Sequence, residues 1–251
     1  MRLAGVGQGV TCFAARNAGE RNSFMDLMLE EMETGGRNVI ILGDGPGRAQ
    51  KRFPRIPLPE SPAERACLIM DCLDHDPDIL VIEDATEGPV FTAACRAAMQ
   101  GRQVLAGLGI HGTRNALRHL QYQLRNGLLP AFVNGLVTFA GVQLLCPECR
   151  TEYAPPQAEL FVMGLEQPPH AFYRSNGCEA CGHRGFSKRR FLLDVIPFDD
   201  GFLRMFDQAG NAVALDSHIK RVGSCGIERE GLALLNRGEI SPEEYIASII
   251  L

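Results

Sequence analysis

Four short runs of nearly unbroken apolar residues dominate the first half of this chain: VTCFA (Val10–Ala14), NVIIL (Asn38–Leu42), ILVIE (Ile79–Glu83) and QVLAGL (Gln103–Leu108). None alternates apolar with polar positions, as a strand with one wet face would. Helical patterns lie between them. SFMDLMLEEME (Ser23–Glu33) is expected to form a helix beginning near Ser23, capped by Asn22 or Ser23 and ended by Gly35–Gly36. A second helix is opened by Ser61 and Pro62, and TAACRAAMQG supplies a third. Strand-helix alternation with strands apolar on both faces predicts an α/β fold, a parallel sheet covered by helices on either side.

The character changes after about Leu145. Cys146-x-x-Cys149 and Cys178-x-x-Cys181 bracket a loop with two Pro-Pro pairs, and RFLLDVIPFDD (Arg190–Asp200) then reads as a strand. Short helices follow; Ser241-Pro242-Glu243-Glu244 opens the last, with Ser241 and Glu244 forming a capping box. From Asn126 to Pro147 no residue is charged. Pro130, Asn134, Gln143 and the glycines dilute that stretch, so a buried helix plus a connecting strand is expected rather than a membrane span. No signal peptide is expected at the start, which lacks a long apolar core after Arg2. The net charge of −5 and the lack of a basic tract argue against nucleic acid as a partner.

Nine cysteines is an odd count. Without a secretory leader they are expected to be reduced thiols or metal ligands. Cys12, Cys67, Cys72, Cys95 and Cys225 sit singly in apolar or helical contexts, as small buried hydrophobes. The other four, at knuckle spacing, suit tetrahedral zinc. His183 is an alternative ligand to one of them, and four free thiols or a redox pair are the competing readings. Four protein ligands leave no open position, so such a zinc folds the segment rather than catalyses.

Two stretches compete for a phosphate. AGVGQGVT (Ala4–Thr11) nearly matches G-x-x-x-x-G-K-[ST], with Val10 in place of the lysine; ARNAGERN (Ala15–Asn22) has a cation but few glycines. The motif requires a strand entering it and a helix leaving it.

DPDILVIED (Asp76–Asp84), AACRAAMQGRQVLAGL, LLCPECRTEY, GCEACGHRGFSKRRFLLDVIPFDD and LLNRGEISPEEYI occur in that order. In motif, order and spacing the chain resembles the hexameric ATPases that drive type II secretion and type IV pilus assembly. The resemblance covers essentially the whole chain, without the family's usual N-terminal domains. It implies a RecA-like P-loop NTPase fold: residues 1–145 as the ATPase-type core, 146–190 as a tetracysteine zinc element, and 191–251 as a C-terminal strand and helical region. The family's R-N-I-x-x-x-E-D-P segment matches Arg37-Asn38-Val39 through Asp44. Counting back from it puts the phosphate-loop slot on Ala15–Asn22 and makes AGVGQGVT a decoy.

The resemblance also shows what is lost. In the slot, Ala18 and Gly19 lead to Glu20, which sets a carboxylate where a triphosphate belongs, a like-charge contact of order a few kcal/mol. Arg21 stands at the lysine position and Asn22 at the magnesium-binding hydroxyl. Asp84 replaces the family's catalytic glutamate with Glu83 beside it, Thr86 replaces an arginine, and the acidic box keeps Asp44 but has Gly43 in the other slot. Gly109-Ile110-His111 departs from the expected threonine–histidine string. These losses imply a degenerate motor core with structural Zn2+, in which ATP and Mg2+ binding is compromised and hydrolysis is absent. The resemblance implies a cytoplasmic location at an inner membrane. It also implies partners among other ATPase subunits, as in a hexamer, and in the inner-membrane platform of a pilus or secretion machine. An active ATPase with a divergent phosphate loop and a zinc-stabilised adaptor that binds no nucleotide are the alternatives.

Overall fold

The computed structural model describes residues 7–32, 34–44, 52–124, 129–166, 171–203 and 226–250. Its described residues fall into two compact units, one taking in the chain up to Thr138 and the stretch from Val195 to 203, the other Phe139–Asp194 and 226–250.

In the first unit the apolar runs are strands. These are β1 (Gly9–Ala14), β2 (Val39–Leu42), β4 (Ile79–Ile82) and β5 (Gln103–Leu108), and every residue of each is buried. A two-residue strand, β3 (Arg55–Ile56), lies beyond β2. The order is β3-β2-β4-β5-β1-β6-β9, where β6 is Val133–Leu145 and β9 is Phe186–Pro197. β1 to β5 and the start of β6 are parallel, in the pairs Val10↔Val104, Ile40↔Leu80 and Phe13↔Val137. β9 runs antiparallel to β6: Phe198 N–H donates to Asn134 C=O, and Cys146 N–H to Gly185 C=O. The sheet is therefore mixed.

Helices α1 (Ala18–Glu31), α2 (Pro62–Cys72), α3 (Gly88–Met99) and α4 (Thr113–Gln123) flank this sheet. α1 docks through Met25 and Leu29 onto Phe13, Val39, Ile41 and Leu105; truncating such a buried leucine to alanine costs about 2–5 kcal/mol. The D-P-D motif acts as a latch between strand starts. Asp78 Oδ2 accepts the Asn38 N–H at 2.7 Å, and Asn38 Nδ2 donates to the carbonyls of His75 and Asp76. Asp76 takes a left-handed φ of 50° to make that turn.

The second unit holds the later part of β6, most of β9, an antiparallel hairpin of β7 (Arg150–Tyr153) and β8 (Phe172–Ser175), and α5 (Gln157–Val162). It also holds α6 (Gly226–Asn236) and the short α7 (Pro242–Tyr245). Its core joins Ala140, Val142, Leu144, Phe172, Leu192, Leu234 and Ile240. The buried Asp194 caps α6 by accepting from the N–H groups of Gly226 (2.6 Å) and Ile227 (3.2 Å).

Four expectations are corrected. The first helix starts at Ala18, not near Ser23, because Asn17 rather than Asn22 or Ser23 caps it. Among its described residues the uncharged stretch holds a 3-10 turn (Leu129–Phe132) and the 13-residue strand β6, since its β-branched residues suit a covered sheet and its glycines disfavour a helix. Cys67 is exposed, while Cys12, Cys72 and Cys95 are buried; Cys225 lies outside the described residues. The capping box is half formed. Ser241 Oγ accepts from Glu244 N–H, but the Glu244 carboxylate is drawn away to Gln143 N–H and Ser248 Oγ, both at 2.9 Å.

Candidate functional site

Parallel pairing brings the carboxyl ends of β1, β2, β4 and β5 to one edge of the first unit, the place where open α/β sheets bind ligands. The Ala15–Asn22 slot follows β1 there. Ala18–Asn22 are already helical, which leaves Ala15, Arg16 and Asn17 as the whole turn. Asn17 Oδ1 accepts the Glu20 N–H at 3.1 Å, so a donor that a phosphate would otherwise meet is satisfied within the chain. Glu20 lies half-buried in the first turn, where the helix dipole favours a carboxylate. Ala18 and Gly19 are exposed.

Arg21 does not reach outward. It is 3% exposed and lies against β5, where a Cβ on Gly107 would come within 2.8 Å of its Nε and one on Gly109 within 3.5 Å of its Nη1. A Cβ at 107 would first overlap the Glu83 carbonyl, so glycine there is required by that backbone approach and also leaves room for the guanidinium. Nε has no hydrogen-bond partner among the described residues. Burial lowers the Arg21 pKa, while the nearby charges of Asp84 and Glu83 act to raise it. Asn22 Oδ1 is likewise buried without a partner.

The two acids at the end of β4 are both held by arginines. Glu83 is buried and paired with Arg55, whose other Nη also reaches Asp26 Oδ1 of α1 at 3.4 Å. Side-chain exposures in this trio are 7%, 6% and 3% for Arg55, Glu83 and Asp26. Gly43, in the emptied slot of the acidic box, makes room for it: a Cβ there would overlap the Glu83 carboxylate. Asp44 follows, exposed. Asp84 Oδ2 accepts from Arg65 at 3.1 Å, and Oδ1 accepts from Thr86 Oγ1 at 2.8 Å and Thr86 N–H at 3.2 Å. Burial alone would raise the Asp84 pKa, but the Thr86 bonds, Arg21 and Arg65 outweigh it and hold the carboxyl below its ordinary value. Thr86 Oγ1 also takes the Gly109 N–H at 2.8 Å, and His119 Nε2 lies 2.9 Å from the Thr86 carbonyl. Three arginines thus face three carboxylates in a balanced network.

In the second unit, the Sγ atoms of Cys146, Cys149, Cys178 and Cys181 all lie within 4.8 Å of one another. The closer pairs are 3.8 and 3.9 Å apart. A tetrahedron with Zn–S bonds of about 2.3 Å has edges of about 3.8 Å, so the cluster fits such an ion. Cys178 N–H and Gly185 N–H point at Cys181 Sγ at 3.2 and 3.3 Å. Those donors lower the Cys181 pKa to about 6, whereas desolvation and the neighbouring thiols push Cys149 up to about 12. A divalent cation removes that conflict by stabilising all four thiolates together. His183, with a left-handed φ of 60°, is not among the clustered ligands.

The sequence reading missed Asn17, Asp26, Arg55, Arg65 and His119. One signal was available for Asp26: it lies beside Met25 on the buried stripe of α1, as does Arg21. Charges on an apolar stripe are rarely buried unless paired. Arg55 and Arg65 carry no comparable local pattern.

The profile of the type II/IV secretion system protein family matches residues 60–247. The chain is similar to the type II secretion system ATPase E of Vibrio cholerae, 24% identical over 227 residues, which cover 87% of this chain and 44% of that protein. It is also similar to the type IV pilus assembly ATPase PilB of Myxococcus xanthus, 25% identical over 189 residues, 73% of this chain and 33% of that one. The chain thus spans less than half the length of either relative. In fold it is similar to the X-ray structure of the Legionella pneumophila ATPase DotB, with a TM-score of 0.66 over 98% of this chain and 61% of that one, at 11% identity. Among the described residues no helix is long and apolar enough to cross a membrane.

Proposed function

Because the chain belongs to the type II/IV secretion system protein family, we propose that it is a motor-type ATPase core that has kept the fold and given up turnover, and that it works in the assembly or regulation of a pilus or secretion machine. One observation carries this reading: both acids at the end of β4, the place of the magnesium and water-activating groups, are held by the chain's own arginines. Magnesium at Glu83 and Asp84 would have to displace Arg55 or Arg65, and a nucleotide would meet Glu20 and a capped helix in place of a wrapping loop. The residues present do not suit Mg-ATP, so no hydrolytic step is assigned to them.

In this reading the tetracysteine cluster holds a structural zinc, which supplies cross-linking of the two knuckles and no chemistry. The partners are other ATPase subunits of such a machine and its inner-membrane platform, and the site of action is cytoplasmic. The test is phosphate release by the purified chain with ATP and magnesium. Background rates are expected. Magnesium-dependent turnover that vanishes in Arg21→Ala would establish the competing reading, an active ATPase with a divergent loop.

A further inference from the structure

Within the second unit, β9 is exposed from Ser187 to Phe191 and alternates buried with exposed residues from Leu192 on. Leu192 and Asp194 are buried, while Phe191 and Leu193 are 46% and 38% exposed. Phe191 meets Phe139 edge-on at 6.3 Å, and the Arg189 guanidinium lies 6.0 Å from its ring centroid. Just before this stripe, Arg184, Ser187, Lys188, Arg189, Gln143 and Phe186 are among the residues that line a cavity of about 210 Å³, and the Glu244 carboxylate takes the Gln143 N–H. With Arg190, four cations fall within seven residues of a chain whose net charge is −5. Arg190 is paired with Glu230 at 2.9 Å. Among the described residues β9 ends the sheet order, with β6 as its only strand neighbour. A long edge strand with outward apolar residues is a surface that proteins normally cover.

We propose that β9 is a docking surface for an extended, acidic peptide segment of a partner protein, seating a carboxylate in the basic cavity and apolar side chains on Phe191 and Leu193. Phe191 and Leu193 recur with the period of two that an extended segment matches with its alternate side chains; because the start of α6 lies against the Leu193 carbonyl, with a Cβ on Gly226 only 3.1 Å from it, the segment is held through side chains. An anionic bilayer is the poorer fit, because surface binding relies on an amphipathic helix whose apolar face sinks about 5–10 Å into the headgroups; here two half-buried residues lie on a sheet between cations. The assignment does not depend on the fate of the nucleotide site.

The test is fluorescence anisotropy of the full chain with a labelled twelve-residue peptide alternating glutamate and leucine, beside its lysine-for-glutamate counterpart. Saturable binding of the acidic peptide alone is expected, weakening as salt rises. Lys188→Glu with Arg189→Glu should weaken it at least tenfold. Phe191→Ser, which leaves the charges in place, should weaken it several-fold; unchanged melting temperatures would show that both variants fold. No saturable binding, equal binding of the two peptides, or unchanged affinity in both variants overturns the proposal. So does binding to phosphatidylserine vesicles without binding to the acidic peptide.

Discussion

Arg55 serves two buried carboxylates at once, which makes it the most demanding single residue of the first unit. Asp26 and Glu83 come from α1 and from the end of β4, so the guanidinium ties a helix to a strand end. Removing one partner of a buried pair leaves an under-compensated charge and costs about 3–5 kcal/mol. Arg55→Met is therefore expected to destabilise the protein by about that much in urea unfolding. The Arg55→Met/Glu83→Gln double variant should lose less than the sum of its singles, because the groups are coupled. A single variant as stable as wild type would disprove the shared pairing. Asp84 gives a prediction with a sign. Its folded pKa is depressed, so its contribution is complete above the unfolded carboxylate value of about 3.9 and is lost as pH falls through the lower folded value. Asp84→Asn should flatten the stability profile as pH falls below about 4, where wild type declines; parallel profiles for the two proteins would contradict it. At this scale the sequence was partly legible. Glu83, Asp84 and Arg21 could be picked out as candidates, but their counter-ions at Arg55 and Arg65 lie 28 and 19 residues away, joined only by the folded sheet.

Among the elements, the tetracysteine segment was legible because metal-ligand spacing is a local pattern, and its four sulfurs do converge. The core strands were legible for a similar reason: burial on both faces leaves an unbroken apolar run. β6 was not, because thirteen uncharged, mostly apolar residues suit a buried strand and a buried helix equally well until neighbouring strands are known. The knuckles also join parts of the second unit. Cys146 N–H bonds to Gly185 C=O, Ser175 Oγ to the same carbonyl, and the Arg150 guanidinium to Gly238 C=O. Stripping the metal with a strong chelator, or changing Cys146→Ser, should thus loosen β7, β8 and the start of β9 while the parallel strands keep their protection. Hydrogen exchange reads both regions in one experiment. Metal analysis of the untreated protein should give about one zinc per chain; zinc-free protein with full protection in the second unit would end this account.

For the whole molecule, the question is whether the proposed motor-type core answers to Mg-ATP. Binding to the native state stabilises by RT ln(1 + [L]/Kd), about 2.7 kcal/mol at a hundredfold excess over Kd. For a chain of this size that raises the melting temperature by roughly 5–10 °C. Saturating ATP with magnesium should instead move it by less than about 1 °C, since Asn17 caps α1 and arginines occupy Glu83 and Asp84. From the sequence alone, reverting Glu20→Gly, Arg21→Lys and Asn22→Thr is expected to raise ATP affinity without restoring turnover. The structure gives a reason to expect otherwise. Ala18–Asn22 belong to α1, so three side chains would change while the backbone stays helical, and the turn would still be only Ala15–Asn17. The Arg21 guanidinium would also leave a space beside Gly107 and Gly109 that a lysine fills poorly. The triple variant should accordingly melt lower than wild type and still show no shift with Mg-ATP. A shift of several degrees in that variant would mean that side chains alone had closed the site and that the helical start of α1 yields to a nucleotide; a shift in wild type would overturn the loss of Mg-ATP binding and leave turnover to the phosphate-release assay.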